Sequence, residues 1–454
     1  MGRLFGTDGV RGVANADLTP ELAFRLGRAG AAVLARHTLD QNRRPRVLIG
    51  RDTRLSGTML ESALIAGLTS VGADVVPVGV IPTPGVAYLV RRLRMDAGVM
   101  VSASHNPVED NGIKFFSGDG YKLSDELEDE IEAQLGREGG GDGLPRPVGE
   151  GVGRARPEPR AEEGYIAFLA GTVPGRLEGF KVVLDCAFGA SYHVGPAVFA
   201  RLGAEVTALN AEPDGSRINV GCGSTHPEKL QRAVRERRAD LGFAFDGDAD
   251  RVIAVDERGE VVDGDHLLAI AGLERLRQGT LPQRRIAATV YSNLGLVEAF
   301  RKAGGDVTIT KAGDRYVLEA MRQGGLVLGG EQSGHVIFLD YNTTGDGVLT
   351  ALQLTAILKR TGQSLSEAAQ VMRTFPQLLR NVRVAAKERL AESDRVKEAV
   401  AAAEGLLGGE GRIFVRPSGT EPLVRVLGEG PEEGVVRQAV ELVAAAVAED
   451  LGGE

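Results

Sequence analysis

The chain has 454 residues, more than a single hydrophobic core usually supports, so several domains are expected. Its composition, 43% hydrophobic and 25% charged, is that of an ordinary globular protein. The net charge of −9 argues against a general polyanion-binding protein, so nucleic acid is not an expected partner.

Three segments of the chain share one layout: a strand, a polar loop, a helix and a second strand that begins Gly-X-Asp/Glu-Val. They run from RVLIGRD to GADVVPVG (46–79), from KVVLDCAFG to GAEVTALN (181–210) and from RIAATVYSN to GGDVTITK (285–311). Short apolar strands that alternate with helices are typical of parallel sheets covered on both faces. The repetition predicts three consecutive similar α/β domains with mixed, mainly parallel sheets.

The order of elements changes after about residue 370. NVRVAA (381–386) is typical of a strand and ESDRVKEAVAAAEGLL of a helix. Two strands, GRIFVRP and PLVRVLGE, and a final helix in GVVRQAVELVAAAVAEDL follow. This order predicts a smaller C-terminal α+β domain.

Residues 137–162 are rich in Gly, Pro and Arg and have no sustained periodicity, which predicts a linker or an exposed hairpin. We therefore place the four domains at 1–155, 156–256, 257–370 and 371–454.

The first loop of interest follows an apolar run, Ala97 to Val101, which breaks into SASHNP. Ligands of open α/β sheets collect at the carboxyl ends of strands, so Ser104 stands where a functional hydroxyl would. The alternative is that Ser102, Ser104 and Asn106 only satisfy hydrogen bonds of a turn. A hydrolase elbow would need GxSxG, which Ala103-Ser104-His105 does not provide, so an acyl-transfer triad is disfavoured.

The second loop lies in FAFDGDADRVIAV (243–255), where Asp246, Asp248 and Asp250 alternate with small residues. Such carboxylates can converge on one hard cation. An EF-hand is the competitor, but Arg251 occupies the position that needs Gly, and the flanks are typical of strands. A Mg²⁺ site is therefore favoured over a solvated acidic turn. The small neighbours of Asp248 predict an accessible loop.

The third loop, LGGEQSGHVIF (328–338), offers polar groups at alternate positions, Glu331, Ser333 and His335, which suits the hydroxyls of a sugar. The fourth, VRPSGTEPLVRV (415–426), combines two guanidiniums, two hydroxyls and a glycine that suit a phosphate monoester; these residues are Arg416, Ser418, Gly419, Thr420 and Arg425. A surface turn is the alternative for the fourth loop. With one loop per domain, all four are expected to face a central cleft.

Cys186 and Cys222 are the only cysteines, too few for a disulfide framework or a four-cysteine zinc site, and this is typical of a reducing compartment. The N-terminal MGRLFGTDGVRG lacks a signal-peptide pattern. No apolar run approaches the ~20 residues that span a bilayer. A cytoplasmic location without membrane contact is expected.

Four stretches of the chain, taken in order, resemble the four signature loops of the α-D-phosphohexomutase family. They are SASHNP with NGIK, DGDADR, GGEQSGH and RPSGT. The resemblance runs from Phe5 to the last helix. Three features are most similar to the branch of this family that acts on glucosamine phosphates: the stretches FGTDGVRG and INVGCGSTHPE (218–228), and Gln332. Relatives that act on mannose and glucose phosphates usually show GEMSGH.

The resemblance implies that Ser104 carries a phosphoryl group and lies against one Mg²⁺ per chain, held by Asp246, Asp248 and Asp250. The phosphoryl group would pass to the free 6- or 1-hydroxyl of the sugar phosphate and form a 1,6-bisphosphate, which reorients. In this branch the substrates are glucosamine 6-phosphate and glucosamine 1-phosphate, with glucosamine 1,6-bisphosphate as intermediate and activator, and the product supplies UDP-N-acetylglucosamine synthesis.

Further roles follow from the resemblance. Lys114 would be a general base or a charge stabiliser, and as a base it needs a lowered pKa, which Mg²⁺, Arg11 and Arg251 would provide. His335 is a second candidate for proton transfer, and His105 has a lesser role. Glu331, Gln332 and Ser333 would bind the sugar. The 415–426 loop would hold the phosphate that is not reacting, and the fourth domain would hinge to admit both orientations.

The expected partner is thus a small sugar phosphate. The sequence does not decide whether the chain forms a homodimer. Two alternatives remain: a phosphomannomutase/phosphoglucomutase, and a sugar-phosphate binding protein without turnover.

Overall fold

The computed structural model describes residues 3–6, 8–34, 43–135, 143–418 and 422–452. Packing divides the chain into two units, one made of Met1–Val290 with Val307–Val371, and one made of Tyr291–Asp306 with Met372–Glu454. Residues 291–306, which lie inside the predicted third domain, thus pack with the C-terminal residues.

The first predicted α/β domain contains a five-stranded sheet in the order β1-β5-β4-β2-β3. Its strands are β1 (Val10–Val13), β2 (Arg46–Arg51), β3 (Asp74–Val80), β4 (Ala97–Val101) and β5 (Asp110–Ser117). β2 pairs in parallel with β3 and β4, whereas β5 pairs antiparallel with β4 and β1. Its helices are α1 (Pro20–Leu34), α2 (Gly57–Ser70), α3 (Thr83–Arg92) and α4 (Asp125–Leu135). Every residue of β4 is buried, so the loop that follows it starts from the interior.

The second sheet repeats this arrangement in the order β10-β9-β8-β6-β7. Its strands are β6 (Lys181–Asp185), β7 (Glu205–Leu209), β8 (Leu241–Phe245), β9 (Val252–Asp256) and β10 (Val261–Val262), and its helices are α5 (Ala161–Gly171), α6 (Val194–Arg201) and α7 (Glu228–Arg237). β6 pairs in parallel with β7 and β8, and β9 pairs antiparallel with β8 and β10. Both sheets are therefore mixed, as expected.

The third sheet has four strands in the order β12-β11-β13-β14. They are β11 (Arg285–Thr289), β12 (Asp306–Thr310), β13 (Leu328–Gly330) and β14 (Val336–Phe338). The helices of this region are α8 (Gly264–Arg277), α9 (Leu294–Lys302), α10 (Asp314–Gly324), α11 (Gly347–Thr361) and the short α12 (Leu365–Ala368). The sugar-type loop predicted from the sequence joins the antiparallel strands β13 and β14.

The C-terminal residues form the smaller α+β fold that the sequence predicts. Its strands β15 (Gln377–Arg383), β16 (Arg412–Pro417) and β17 (Leu423–Glu429) are antiparallel in the order β15-β17-β16, with helices α13 (Asp394–Leu407) and α14 (Glu433–Leu451). β15 begins at Gln377 rather than at 381, because it pairs along β17 as far as Glu429.

The stretch predicted as a linker or exposed hairpin is partly built into the first sheet. The amide of Val75 donates to the carbonyl of Arg154 over 2.8 Å, and the amide of Arg156 donates back to Val75 over 2.9 Å. Residues 154–156 therefore cover the free edge of β3, and α5 begins soon after them. These residues remain exposed, as expected of a linker or exposed hairpin, but they also pair with the sheet. Residues 137–142 of the predicted stretch lie outside the described residues.

Side-chain caps fix the starts of several helices. Asp263 caps α8, Asp346 caps α11 and Ser393 caps α13, each by accepting a backbone hydrogen bond in the first turn. Gly362 ends α11 in the left-handed conformation at a φ of 70°. Among the described helices, none is both long and apolar enough to cross a membrane.

Candidate active site

Ser104 lies in the loop that leaves the carboxyl end of β4. It is 1% exposed and has a φ of 55°, a left-handed conformation that is strained for a residue with a side chain. Its Oγ donates to Asp246 Oδ2 at 2.6 Å, and Nδ1 of His105 lies 3.3 Å from the same Oγ. The hydroxyl singled out from the sequence therefore touches the acidic loop singled out from the sequence.

The backbone around Ser104 is held by Arg54, whose side chain is fully buried. Its Nη2 donates to the carbonyls of Ser104 at 3.1 Å and Asn106 at 2.8 Å, and its Nε pairs with Asp52 at 3.1 Å. Nδ2 of Asn219 donates to the Ser104 carbonyl at 2.9 Å. These donors leave the Ser104 loop little freedom, so the strained conformation is imposed by its surroundings.

The acidic loop joins β8 to β9, which confirms the predicted flanking strands and excludes an EF-hand. Asp246, Asp248 and Asp250 each bring a carboxylate oxygen to within 4.8 Å of the others. All three are buried, at 1%, 0% and 3% exposure. The expectation of an accessible loop was therefore wrong, because neighbouring segments cover the small residues between the carboxylates.

The donor set fits a divalent cation. Among the described residues, Oδ1 of Asp248 and Oδ1 of Asp250 are buried without a hydrogen-bond partner, which is costly unless an ion satisfies them. Burial, with repulsion from Asp250 and Asp248, raises the pKa of Asp246 well above its ordinary value. A bound cation would relieve both penalties, and hard oxygen ligands are those that Mg²⁺ prefers.

Lys114 lies on β5 between carboxylates. Its Nζ is 2.8 Å from Asp248 Oδ2 and 2.8 Å from Asp8 Oδ2. Burial lowers the pKa of Lys114, but these two carboxylates outweigh burial and raise it above its ordinary value. The charge of Arg11 does lower this pKa, in the direction expected, but the carboxylates outweigh it. The sequence-based expectation of a lowered pKa, from Mg²⁺, Arg11 and Arg251, did not include Asp8.

The two predicted arginines also lie at this site. Arg11 pairs with Asp8 at 2.5 Å and donates from Nη1 to Asn106 Oδ1 at 3.0 Å. Nε of Arg251 is 3.9 Å from Asp250 Oδ1. Both cations flank the carboxylate cluster.

The ring of His105 faces the hydroxyl of Ser104, which the sequence left open. Burial, followed by the positive charges of Arg251 and Arg11, lowers the pKa of His105 to about 4. The ring beside Ser104 Oγ is therefore neutral around pH 7, so it adds no positive charge next to the hydroxyl.

A chain of charged groups leads from this cluster to His335. Lys122 Nζ lies 2.5 Å from both Asp8 and Asp314, and Nε2 of His335 lies 3.6 Å from Asp314. His335 is 2% exposed, and neither ring nitrogen has a hydrogen-bond partner among the described residues. Asp8, Lys122 and Asp314 were missed from the sequence. Asp8 stands in the noted FGTDGVRG stretch, whereas no pattern marked the other two.

The sugar-type loop lies next to this chain. Glu331 accepts a hydrogen bond from the amide of Gly313 at 3.1 Å, directly before Asp314. The carbonyl of Gln332 accepts from the amide of Gly264 at 3.0 Å, and Ser333 is exposed. One compact unit thus contains the first three predicted loops, with the Ser104, acidic and His335 groups connected by direct contacts.

The fourth loop lies in the other unit. Arg416 on β16 and Arg425 on β17 are cross-strand partners, so two guanidiniums stand opposite each other on one face of the sheet. Arg416 Nε donates to the hydroxyl of Tyr291 at 2.6 Å. The carbonyl of Ser418 accepts from Lys387 Nζ at 2.8 Å. Gly419 and Thr420 lie outside the described residues. Directly opposed like charges are destabilising on their own, so this pair is suited to an anion.

Comparisons with known proteins match the chain along most of its length. Four domain families match in order, described as "Phosphoglucomutase/phosphomannomutase, alpha/beta/alpha domain I", II and III and the "C-terminal domain" of the same group. They match residues 2–140, 163–259, 263–375 and 379–446.

Curated relatives are similar over nearly the whole chain. A phosphoglucosamine mutase of Desulforudis audaxviator is 57% identical and covers 99% of this chain and 98% of its own length. A phosphoglucosamine mutase of Moorella thermoacetica is 58% identical and covers 95% of this chain and 96% of its own length. A crystal structure of a phosphoglucomutase/phosphomannomutase family protein from Burkholderia thailandensis is 25% identical, with a TM-score of 0.82 over 98% of this chain and 97% of that one.

Proposed function

The chain belongs to the phosphoglucomutase/phosphomannomutase family, and from this premise we propose that it catalyses the interconversion of glucosamine 6-phosphate and glucosamine 1-phosphate. The relatives named phosphoglucosamine mutase support the choice of an amino sugar. A phosphoglucomutase or phosphomannomutase reaction is the alternative within the family.

The observation that carries the proposal is the position of Ser104. Its buried hydroxyl touches one of three clustered carboxylates, and its loop is clamped by Arg54. A protein that only binds sugar phosphates has no need for a strained serine at this point. We therefore assign Ser104 as the phosphoryl carrier.

In the proposed reaction, a free hydroxyl of the sugar phosphate attacks the phosphorus on Ser104 and the Oγ–P bond breaks. The hydroxyl gives its proton to a base, and the released Oγ of Ser104 takes up a proton. The resulting glucosamine 1,6-bisphosphate turns around and returns its other phosphate to Ser104. Asp246, Asp248 and Asp250 would hold Mg²⁺, which when bound neutralises charge on the phosphoryl oxygens.

The remaining residues have two proposed roles, stabilisation of negative charge and proton transfer. Lys114 stays protonated between carboxylates, which favours a charge-stabilising role over that of a general base. Arg11 and Arg251 would add positive charge near the phosphoryl group. His335, whose ring nitrogens have no described hydrogen-bond partner, is our proposed proton-transfer group.

Glu331, Gln332 and Ser333 would bind the sugar, and the opposed pair Arg416 and Arg425 would hold the phosphate that is not reacting. An anion between two guanidiniums receives charge-assisted hydrogen bonds from both. The Nε of Arg416 donates to the hydroxyl of Tyr291, which helps to hold this guanidinium in place.

Replacement of Arg416 by Ala is expected to lower kcat/KM in both directions of the reaction by about 10- to 100-fold, since each charge-assisted hydrogen bond contributes roughly 1.5 to 3 kcal/mol. The same clamp must accept the 6-phosphate in one binding mode and the 1-phosphate in the other. Arg416→Lys should recover only part of the loss, because an ammonium lacks the bidentate fork. The measurement is kcat/KM for both substrates on one phosphorylated preparation. A large loss for one substrate and none for the other would indicate two separate phosphate sites.

The sugar specificity is tested by initial rates with the 1- and 6-phosphates of glucosamine, glucose and mannose under identical bisphosphate priming. The proposal predicts the highest kcat/KM for the glucosamine pair. Higher values for mannose or glucose phosphates would favour the alternative reaction, and no turnover of any pair would favour a binding protein.

A further inference from the structure

Thr83, the first residue of α3, makes two hydrogen bonds to the middle residue of the acidic loop. Its Oγ1 donates to Asp248 Oδ2 at 2.5 Å, and its backbone amide donates to the carbonyl of Asp248 at 2.9 Å. Thr83 is 0% exposed, so water does not compete for either contact. One residue from the first predicted domain thus fixes both the backbone and the carboxylate of a residue in the second.

The hydroxyl of Thr83 decides how the two oxygens of Asp248 are used. Oδ2 accepts from Thr83 and also from Lys114 Nζ at 2.8 Å. Oδ1 is buried and has no described hydrogen-bond partner. A carboxylate held by two donors on one oxygen cannot rotate to exchange its oxygens without breaking both bonds. The second oxygen is therefore held free for another ligand.

We propose that Thr83 is a positioning residue for the divalent cation, and the proposal rests on the metal role assigned to Asp248 in the proposed function. Hydrogen-bond partners that orient metal ligands typically change metal affinity or activity by about 10- to 100-fold when they are removed. Lys114 supplies charge but is a flexible ammonium, whereas the short side chain of Thr83 is anchored by its own helix. Thr83 therefore sets the direction of the Asp248 carboxylate.

The test replaces Thr83 by Val, which keeps the shape and removes the hydroxyl. We expect the Mg²⁺ concentration for half-maximal activity to rise about 10-fold. The Mg²⁺-dependent rise in the thermal unfolding midpoint, which needs no turnover, should shift to higher Mg²⁺ by a similar factor. Thr83→Ser keeps the hydroxyl and should restore both values to near those of the wild type.

Thr355→Val is the matched control. Thr355 is also 0% exposed, and its Oγ1 donates to the carbonyl of Ala351 at 2.8 Å inside α11. This variant should lower the metal-free unfolding midpoint without changing either Mg²⁺ titration. If Thr83→Val lowers the metal-free unfolding midpoint about as much as Thr355→Val does, and only Thr83→Val alters the Mg²⁺ titrations, the altered titrations are due to metal positioning. Loss of a buried hydrogen bond alone would not explain them.

If Thr83→Val gives the same Mg²⁺ titrations as the wild type, the proposal is overturned. If Thr83→Val does not fold, Thr83→Ser and Thr83→Ala answer the same question, because they differ by one oxygen. Equal Mg²⁺ requirements in these two variants would refute the role of the hydroxyl, and a higher requirement in Thr83→Ala than in Thr83→Ser would support it. A wild type with no response to Mg²⁺ would instead refute the metal part of the proposed function, which is a different failure.

Discussion

Ser104→Ala is expected to lower mutase activity by several orders of magnitude, because the substitution deletes the oxygen that carries the phosphoryl group. The fold should persist, since the loop is held through backbone carbonyls by Arg54 and Asn219 and not through the Ser104 side chain. Initial rates measure the loss. Intact-mass analysis should show one phosphate on the wild type and none on the variant.

Ser366→Ala is a suitable control for the removal of a buried serine hydroxyl. Ser366 is 7% exposed, and its Oγ donates to Glu257, outside the acidic cluster. This variant should keep its phosphate and most of its activity. A fully active Ser104→Ala protein, or one that still carries phosphate, would contradict the assignment of Ser104 as the carrier.

Asp248→Asn is expected to reduce turnover by orders of magnitude and to weaken Mg²⁺ binding strongly. The oxygen of the amide must remain with the donors Thr83 and Lys114, so the NH₂ group replaces Oδ1 and cannot bind a cation. The fold should be retained even though the loop is buried. The variant loses the ion pair with Lys114, but it also has less repulsion with Asp246 and Asp250. Mg²⁺ titrations of activity and of the unfolding midpoint measure the effect.

Asp346→Asn provides the comparison, as Asp346 is a buried carboxylate outside the acidic cluster. It accepts from the hydroxyl of Tyr165 at 2.7 Å and from Asn342 at 3.1 Å. Its replacement should alter stability and leave the Mg²⁺ requirement unchanged. If Asp248→Asn shows the wild-type Mg²⁺ requirement, the cation is bound by other ligands.

The α/β repeats could be predicted because their strands are short apolar runs and each is followed by a polar loop. Strand β1 was not predicted, since Val10–Val13 has only four residues, with Gly12 inside it and Gly9 directly before it. It is stabilised by antiparallel pairing with β5, more than 90 residues away in sequence. The start of β15 was also missed, because its first four residues are strand through pairing with β17 between Val426 and Glu429.

Most candidate site residues could be named from the sequence because they stand in compact motifs. The residues that support them were not. Arg54 and Thr83 reach the site over long sequence separations, and Asp8 stands in the noted FGTDGVRG stretch but was given no role there. The raised pKa of Lys114 illustrates the consequence: sequence reasoning placed it among cations, while folding surrounds it with carboxylates. Local patterns identify reactive groups, and tertiary contacts set their charge states.

The packing of residues 291–306 with the C-terminal residues affects how this chain can be divided experimentally. Asn293 exchanges two 3.0 Å hydrogen bonds with the backbone of Phe375, and the amide of Leu294 donates to Glu429 at 2.7 Å. A gene shortened at about residue 375, where the third family match ends, would leave α9 without these partners. Such a fragment should be prone to aggregation and proteolysis around α9, so the C-terminal Met372–Glu454 is not a detachable module and cannot be exchanged between relatives without residues 291–306.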